Sequence, residues 1–163
     1  MENPCRLFSR VTPGTVPYAS TPRKDDSSDW FSVYRDLNLA RTLKANLLVV
    51  GNERLVLSLV SSLVADVHPD YMIQCHDGLM RLPPRPSQSG IVVLRDVETL
   101  EKVEQLRFLD WLDSASKRLQ VVSTATAPLL RLVEAHKFNP TLYYRLNTVY
   151  IDLTVDKVGR AIL

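Results

Sequence analysis

From Asn46 onward, short apolar runs alternate with stretches whose apolar residues return every three or four positions. The two rhythms predict alternating strands and helices. NLLVV is a continuous apolar run of the length expected for a strand buried on both faces, and YMIQC, IVVLRD, LQVVSTA and TVYIDL repeat the theme. Between the first two, Leu55, Leu59, Leu63 and Val56, Val60, Val64 fall in two adjacent rows and predict one apolar helix face, with Asn52 as its cap. Thr99 to Lys117 reads as a helix whose bulky apolar set is Phe108, Leu109, Trp111 and Leu112, and PLLRLVEAHKF reads as another. Ahead of the first strand, WFSVYRDLNLARTLK reads as a helix capped by Asp29, with Phe31, Tyr34, Leu37 or Asn38, and Leu43 near helical spacing. Strands and helices in this alternation predict an α/β fold with a mostly parallel five-stranded sheet covered by helices.

The rest of the chain punctuates this pattern. Residues 1–28 carry Pro4, Pro13, Pro17 and Pro22 among Ser, Thr and mixed charges, and read as a mobile arm ahead of a core spanning 29–163. DGLMRLPPRPSQSG holds three prolines and two glycines and reads as a loop between the second and third strands. No internal repeat is visible.

Composition narrows the function classes. A chain of 163 residues with 45% hydrophobic content suits one domain with its own core. Its 20 basic and 18 acidic residues are spread along the chain, for a net charge of +2, so no basic stripe points to direct nucleic-acid contact. No apolar run reaches the roughly 18 residues of a membrane span, and MENPCRLFSRVTPG lacks the apolar stretch of a secretory signal, so the cytoplasm is expected. Cys5 and Cys75 read as free thiols. With Cys75 beside His76 but His68 and His136 isolated in sequence, no metal site is expected. Ser123 and Thr124 follow an apolar run without an elbow motif or a tied base, so no catalytic nucleophile is expected. Trp30 and Trp111 read as packing residues.

One stretch changes the picture. VVGNERLVLS has the outline of a phosphate-binding P-loop, in which a strand leads to Gly, four residues, then Gly-Lys-Ser/Thr. Gly51 and Ser58 hold the outer positions. Val56 stands where the second Gly lets phosphate approach the backbone amides, and Leu57 stands where Lys reaches the β and γ groups. The loop therefore reads as a plain helix start in which Val56 and Leu57 serve packing.

Further along, KFNPTLYYRLNTVYIDL resembles the FRxDLYYRLNxxxIxLPPLR signature of the sigma-54-interaction AAA+ domain of bacterial enhancer-binding transcription activators. Phe138, Leu142, Tyr143, Tyr144, Arg145, Leu146, Asn147, Ile151 and Leu153 match in order and spacing. QLRFLDWLD is similar to the family's QxKLLRxLQ helix, and IVVLRDVETL sits where the family has its Walker B strand. The resemblance covers about 46–153 and implies a three-layer P-loop NTPase-like core. It also implies roles that this sequence only partly fills. Asp96 is placed to hold Mg²⁺ through water, Val97 replaces the Glu that orients the attacking water, and Thr126 replaces a sensor Asn. Of two arginines that reach a neighbouring subunit's nucleotide, one position is Asn139 and the other is Arg145. The link from His76 to Gly90 is short and lacks the GAFTGA loop, and TVDKVGRAIL does not match the family's PPLR exit into a lid.

These departures lead to an expectation of a degenerate, catalytically inactive core without a lid. It would bind protein, either itself or an intact AAA+ activator, through a surface around Arg145, Tyr143 and Tyr144. Two alternatives stay open: a weak ATPase or nucleotide-responsive switch, with Mg-ATP near Gly51, Ser58 and Asp96, and a degenerate receiver-like signalling domain.

Overall fold

The computed structural model describes residues 27–65, 72–74, 90–114 and 119–154. The proline-rich arm, Cys5, His68, Cys75, the link across 76–89, the tail from 155 and the side chain of Trp30 lie outside the described residues.

The elements run α1 (Ser27–Leu43), β1 (Leu47–Gly51), α2 (Glu53–Ala65), β2 (Met72–Gln74), β3 (Gly90–Leu94), α3 (Lys102–Ser114), β4 (Leu119–Ala125), α4 (Leu130–Glu134), α5 (Pro140–Leu146) and β5 (Val149–Leu153). All five strands are parallel, in the order β2-β3-β4-β1-β5. Successive side chains of a strand point to opposite faces, and β1 divides accordingly. Leu47 and Val49 enter a core with Leu37, Ala40, Val56, Leu59, Val60 and Leu63 of α1 and α2. Leu48 and Val50 enter a second core with Phe108, Trp111, Leu129, Leu142 and Leu146 from the helical face opposite. The result is three layers with the sheet between two helical ones. Each fully buried aliphatic side chain contributes about 1.5–3 kcal/mol, so β1, buried throughout, anchors both layers.

This strand order rules out the receiver-like alternative. In that fold, with order 2-1-3-4-5, β1 lies between the second and third strands; here it lies between β4 and β5.

Three local expectations are corrected. Helix α1 begins at Ser27, so Asp29 is helical rather than the extended residue that a cap must be. Its packing face is Val33, Leu37 and Ala40, while Phe31, Tyr34 and Leu43 point to solvent. Helix α3 starts at Lys102, not Thr99. Val97–Thr99 form a 3-10 turn first, and the Glu104 carboxylate then accepts from the Glu101 N–H at 2.9 Å, half of a capping box. The helix expected over PLLRLVEAHKF is only Leu130–Glu134: His136 takes the left-handed conformation (φ 55°), and the Lys137 and Phe138 N–H groups both turn back to the Leu132 carbonyl. By contrast α2 follows the expected rows, with Val56, Leu59, Val60 and Leu63 buried and the Asn52 side chain accepting from the Arg54 N–H at 3.0 Å.

Polar side chains lock the layers together. Asn46 accepts from the Val121 N–H and donates to the Arg145 carbonyl, joining β1 to β4 and to the end of α5. Gln120, buried, donates to the carbonyls of Ala40 and Ala45 and fixes the exit of α1.

Candidate functional site

In an open parallel sheet, ligands bind outside the carboxyl ends of the strands. Here those ends bring together Gly51 at the end of β1, Arg95 and Asp96 after β3, and Thr126 after β4. Arg95 directly follows β3, and Asp96 sits one residue beyond it.

Gly51 has φ +149°, and a Cβ built on it would lie 2.6 Å from the Leu153 carbonyl carbon. Only glycine lets β1 and β5 approach this closely, so the first glycine of the loop has a packing task of its own. The chain then enters α2 at once. Val56 is 3% exposed and packs in the core beneath the sheet edge, and Leu57 is half-buried against the remaining space. Above them the Glu53 carboxylate takes a hydrogen bond of 2.5 Å from the Arg95 guanidinium, an ion pair that ties the start of α2 to the end of β3. What remains among Gly51, Glu53, Val56, Leu57, Arg95, Asp96, Thr124, Ala125 and Thr126 is a cavity of about 10 Å³. That is space for about one water molecule.

The remaining candidate positions are engaged in the fold. Asp96 adopts a left-handed backbone (φ 53°, ψ 46°). Its N–H donates to Thr124 Oγ1 at 3.3 Å, and its carbonyl accepts from the Thr99 hydroxyl. Ser58 is exposed on α2, its carbonyl accepting from the Ser62 hydroxyl, and it does not line the cavity that Asp96 lines. Thr126 donates from both its N–H and its hydroxyl to Glu98 Oε1, at 2.7 and 2.6 Å. Asn139 caps α5 by accepting from the Leu142 N–H. Arg145 pairs with Asp113 across α5 and α3. Tyr143 and Tyr144 meet edge to face with ring centres 5.2 Å apart, and Tyr144 is 70% exposed. Nearby, Tyr150 is pushed up to about 12 by burial, with Asp152 and Tyr143 adding to the shift.

Two contacts escaped the sequence reading: Glu53 with Arg95, and Glu98 with Thr126. Glu98 was findable as the acid two residues past Asp96. The first pair joins loops whose adjacency comes from strand order, which no local signal encodes.

The fold and the strand-end geometry define the chain as an α/β P-loop NTPase-like domain. The family model for the sigma-54 interaction domain matches residues 26–155, and the chain belongs to that family. Among solved structures, the P-loop NTPase domain of the sigma-54 transport activator from E. coli aligns with a TM-score of 0.61 at 18% identity, covering 78% of this chain and 96% of that one. NtrX from Brucella abortus in complex with ATP aligns with a TM-score of 0.59 at 13% identity, covering 77% of this chain; the chain spans only 35% of NtrX. No curated protein matches the sequence. No helix among the described residues is long and apolar enough to cross a membrane.

Proposed function

We propose that this chain is a catalytically inactive sigma-54 interaction domain that acts as a protein-binding or regulatory module in transcription regulation. The observation that carries this reading is the narrowness of the strand-end crevice, about 10 Å³ where a triphosphate needs an open cradle. Leu57 removes a charge-assisted contact worth about 1.5–3 kcal/mol. The Val56 side chain, in the core, denies phosphate the close approach that glycine allows. Glu53 adds negative charge at the loop and holds Arg95, the one base that lines the cavity among the described residues, in an ion pair. Thr126, at the sensor position, is already bonded to Glu98.

The partner in this reading is another copy of the chain or an intact AAA+ activator, met at the surface around Arg145, Tyr143 and Tyr144. Tyr144 supplies the exposed apolar area, and Arg145, half-exposed in its pair with Asp113, supplies a charge that a partner carboxylate can share. Calorimetric titration with Mg-ATP tests the central point. No heat up to millimolar nucleotide is expected, whereas micromolar binding would establish a nucleotide-responsive switch instead.

A further inference from the structure

A second cavity, of about 240 Å³, opens between the start of α3 and the α4–α5 turn, lined by Lys102, Gln105, Leu106, His136, Lys137, Phe138, Asn139 and Pro140. Three of these side chains are basic and none is acidic. Lys102, His136 and Lys137 have no ion-pair partner among the described residues. The floor is apolar: Phe138 is 2% exposed, and Leu106 forms a wall that is 53% exposed although it is a large aliphatic residue.

The cavity is also built rather than incidental. Gln105, 2% exposed, donates to the carbonyls of Leu100 and Lys137 and accepts from the Asn139 N–H, clamping the turn between α4 and α5 against α3. The His136 and Lys137 N–H groups bond back to Val133 and Leu132, so the turn that carries both bases is fixed before anything binds. Such preorganisation lowers the ordering cost of association.

We infer that this cavity is a docking site for an acidic segment of a partner protein, one that presents a single bulky apolar side chain flanked by carboxylates. Charge complementarity selects the flanks, and volume selects the anchor. At about 240 Å³ the space falls below the roughly 300–1,000 Å³ of small-molecule pockets but admits one large side chain. A nucleic acid is disfavoured because the bases cluster at one hole rather than along a stripe, and no exposed aromatic offers a stacking platform there. The inference rests on the reading of the chain as a protein-binding module and adds to it a second surface, with the chemistry of what docks there.

The test uses the full chain and three fluorescein-labelled peptides, read by anisotropy: Glu-Glu-Phe-Glu-Glu, its Gln-flanked counterpart, and its Ala-centred counterpart. The acidic Phe peptide should bind roughly tenfold more tightly than either control, and Lys102→Glu/Lys137→Glu should weaken it roughly tenfold or more. Leu106→Ser should weaken the Phe peptide while leaving the Ala peptide unchanged. All three positions are exposed, and an unchanged thermal transition shows that the variants remain folded. Equal binding of the Phe and Ala peptides, displacement of the Phe peptide by millimolar inorganic phosphate, or no effect of the lysine changes would overturn the proposal. Self-association abolished by the lysine changes would also overturn it, by giving the cavity to a second copy. The Mg-ATP titration is independent of every one of these results, so a failure here leaves the nucleotide question where that titration puts it.

Discussion

Gly51 is held in place by packing, whatever the loop that follows it binds. Its positive φ and its contact with Leu153 make any side chain costly, so Gly51→Ala is expected to destabilise the fold by about 1–3 kcal/mol from the backbone alone, with the clash added. A thermal melt should fall by roughly 2–4 °C per kcal/mol. Tyr150 supports a second residue-level prediction. With its hydroxyl raised to about 12, the folded chain holds a proton that the unfolded chain releases near 10. Stability from this group is complete below pH 10 and is lost as pH rises toward 12, because the unfolded state binds fewer protons there. Tyr150→Phe should flatten that alkaline decline in urea titrations. A decline of unchanged slope would show that other groups cause it. At this scale the sequence was informative where chemistry is tied to spacing. Val56 and Leu57 stand out against a P-loop frame, whereas the Glu53–Arg95 pair, 42 positions apart, depends on which strands are neighbours.

Among the elements, α3 and the α4–α5 turn depend on a single side chain. Gln105→Leu would keep the volume but strand the carbonyls of Leu100 and Lys137 and the N–H of Asn139. A cost of about 3 kcal/mol is expected, since each buried unsatisfied group costs about 1–3 kcal/mol. Urea unfolding monitored by Trp fluorescence would measure it, and a change under about 1 kcal/mol would mean that water replaces the amide. Helices differ in how far their sequences declare them. In α2 the apolar residues form one face, so periodicity alone identifies what is buried. In α1 they lie on both sides: Val33, Leu37 and Ala40 face the sheet and Phe31, Tyr34 and Leu43 face out. The choice between the two stripes is made by tertiary anchors such as the Gln120 bonds to the α1 exit, which lie 75 and 80 positions away in sequence. The early end of α4 was hidden for a similar reason. Its left-handed His136 is not a glycine, and the turn is held from outside by Gln105.

For the molecule as a whole, the α/β class, the five strands and the family membership were legible, because buried parallel strands are written as continuous apolar runs and the α5–β5 signature is long. The strand order was not, and it separates this architecture from a receiver. A whole-molecule prediction follows for nucleotide. A ligand at a hundred times its Kd raises stability by about 2.7 kcal/mol. For a chain of this size that corresponds to a shift in Tm of roughly 5–10 °C. One millimolar Mg-ATP is therefore expected to leave the melting temperature unchanged, while a shift of that size would mean a Kd near 10 μM and an open cradle.

The close approach of β1 to β5 has a practical corollary for mutational scanning. Substitutions at position 51 will score as harmful in any assay that needs folded protein, so intolerance there would mimic the signature of a living ATPase. The neighbouring aliphatic positions are the better witnesses. If phosphate matters, Leu57→Lys should improve some output; if it does not, that position will accept Ile or Met and resist only charge.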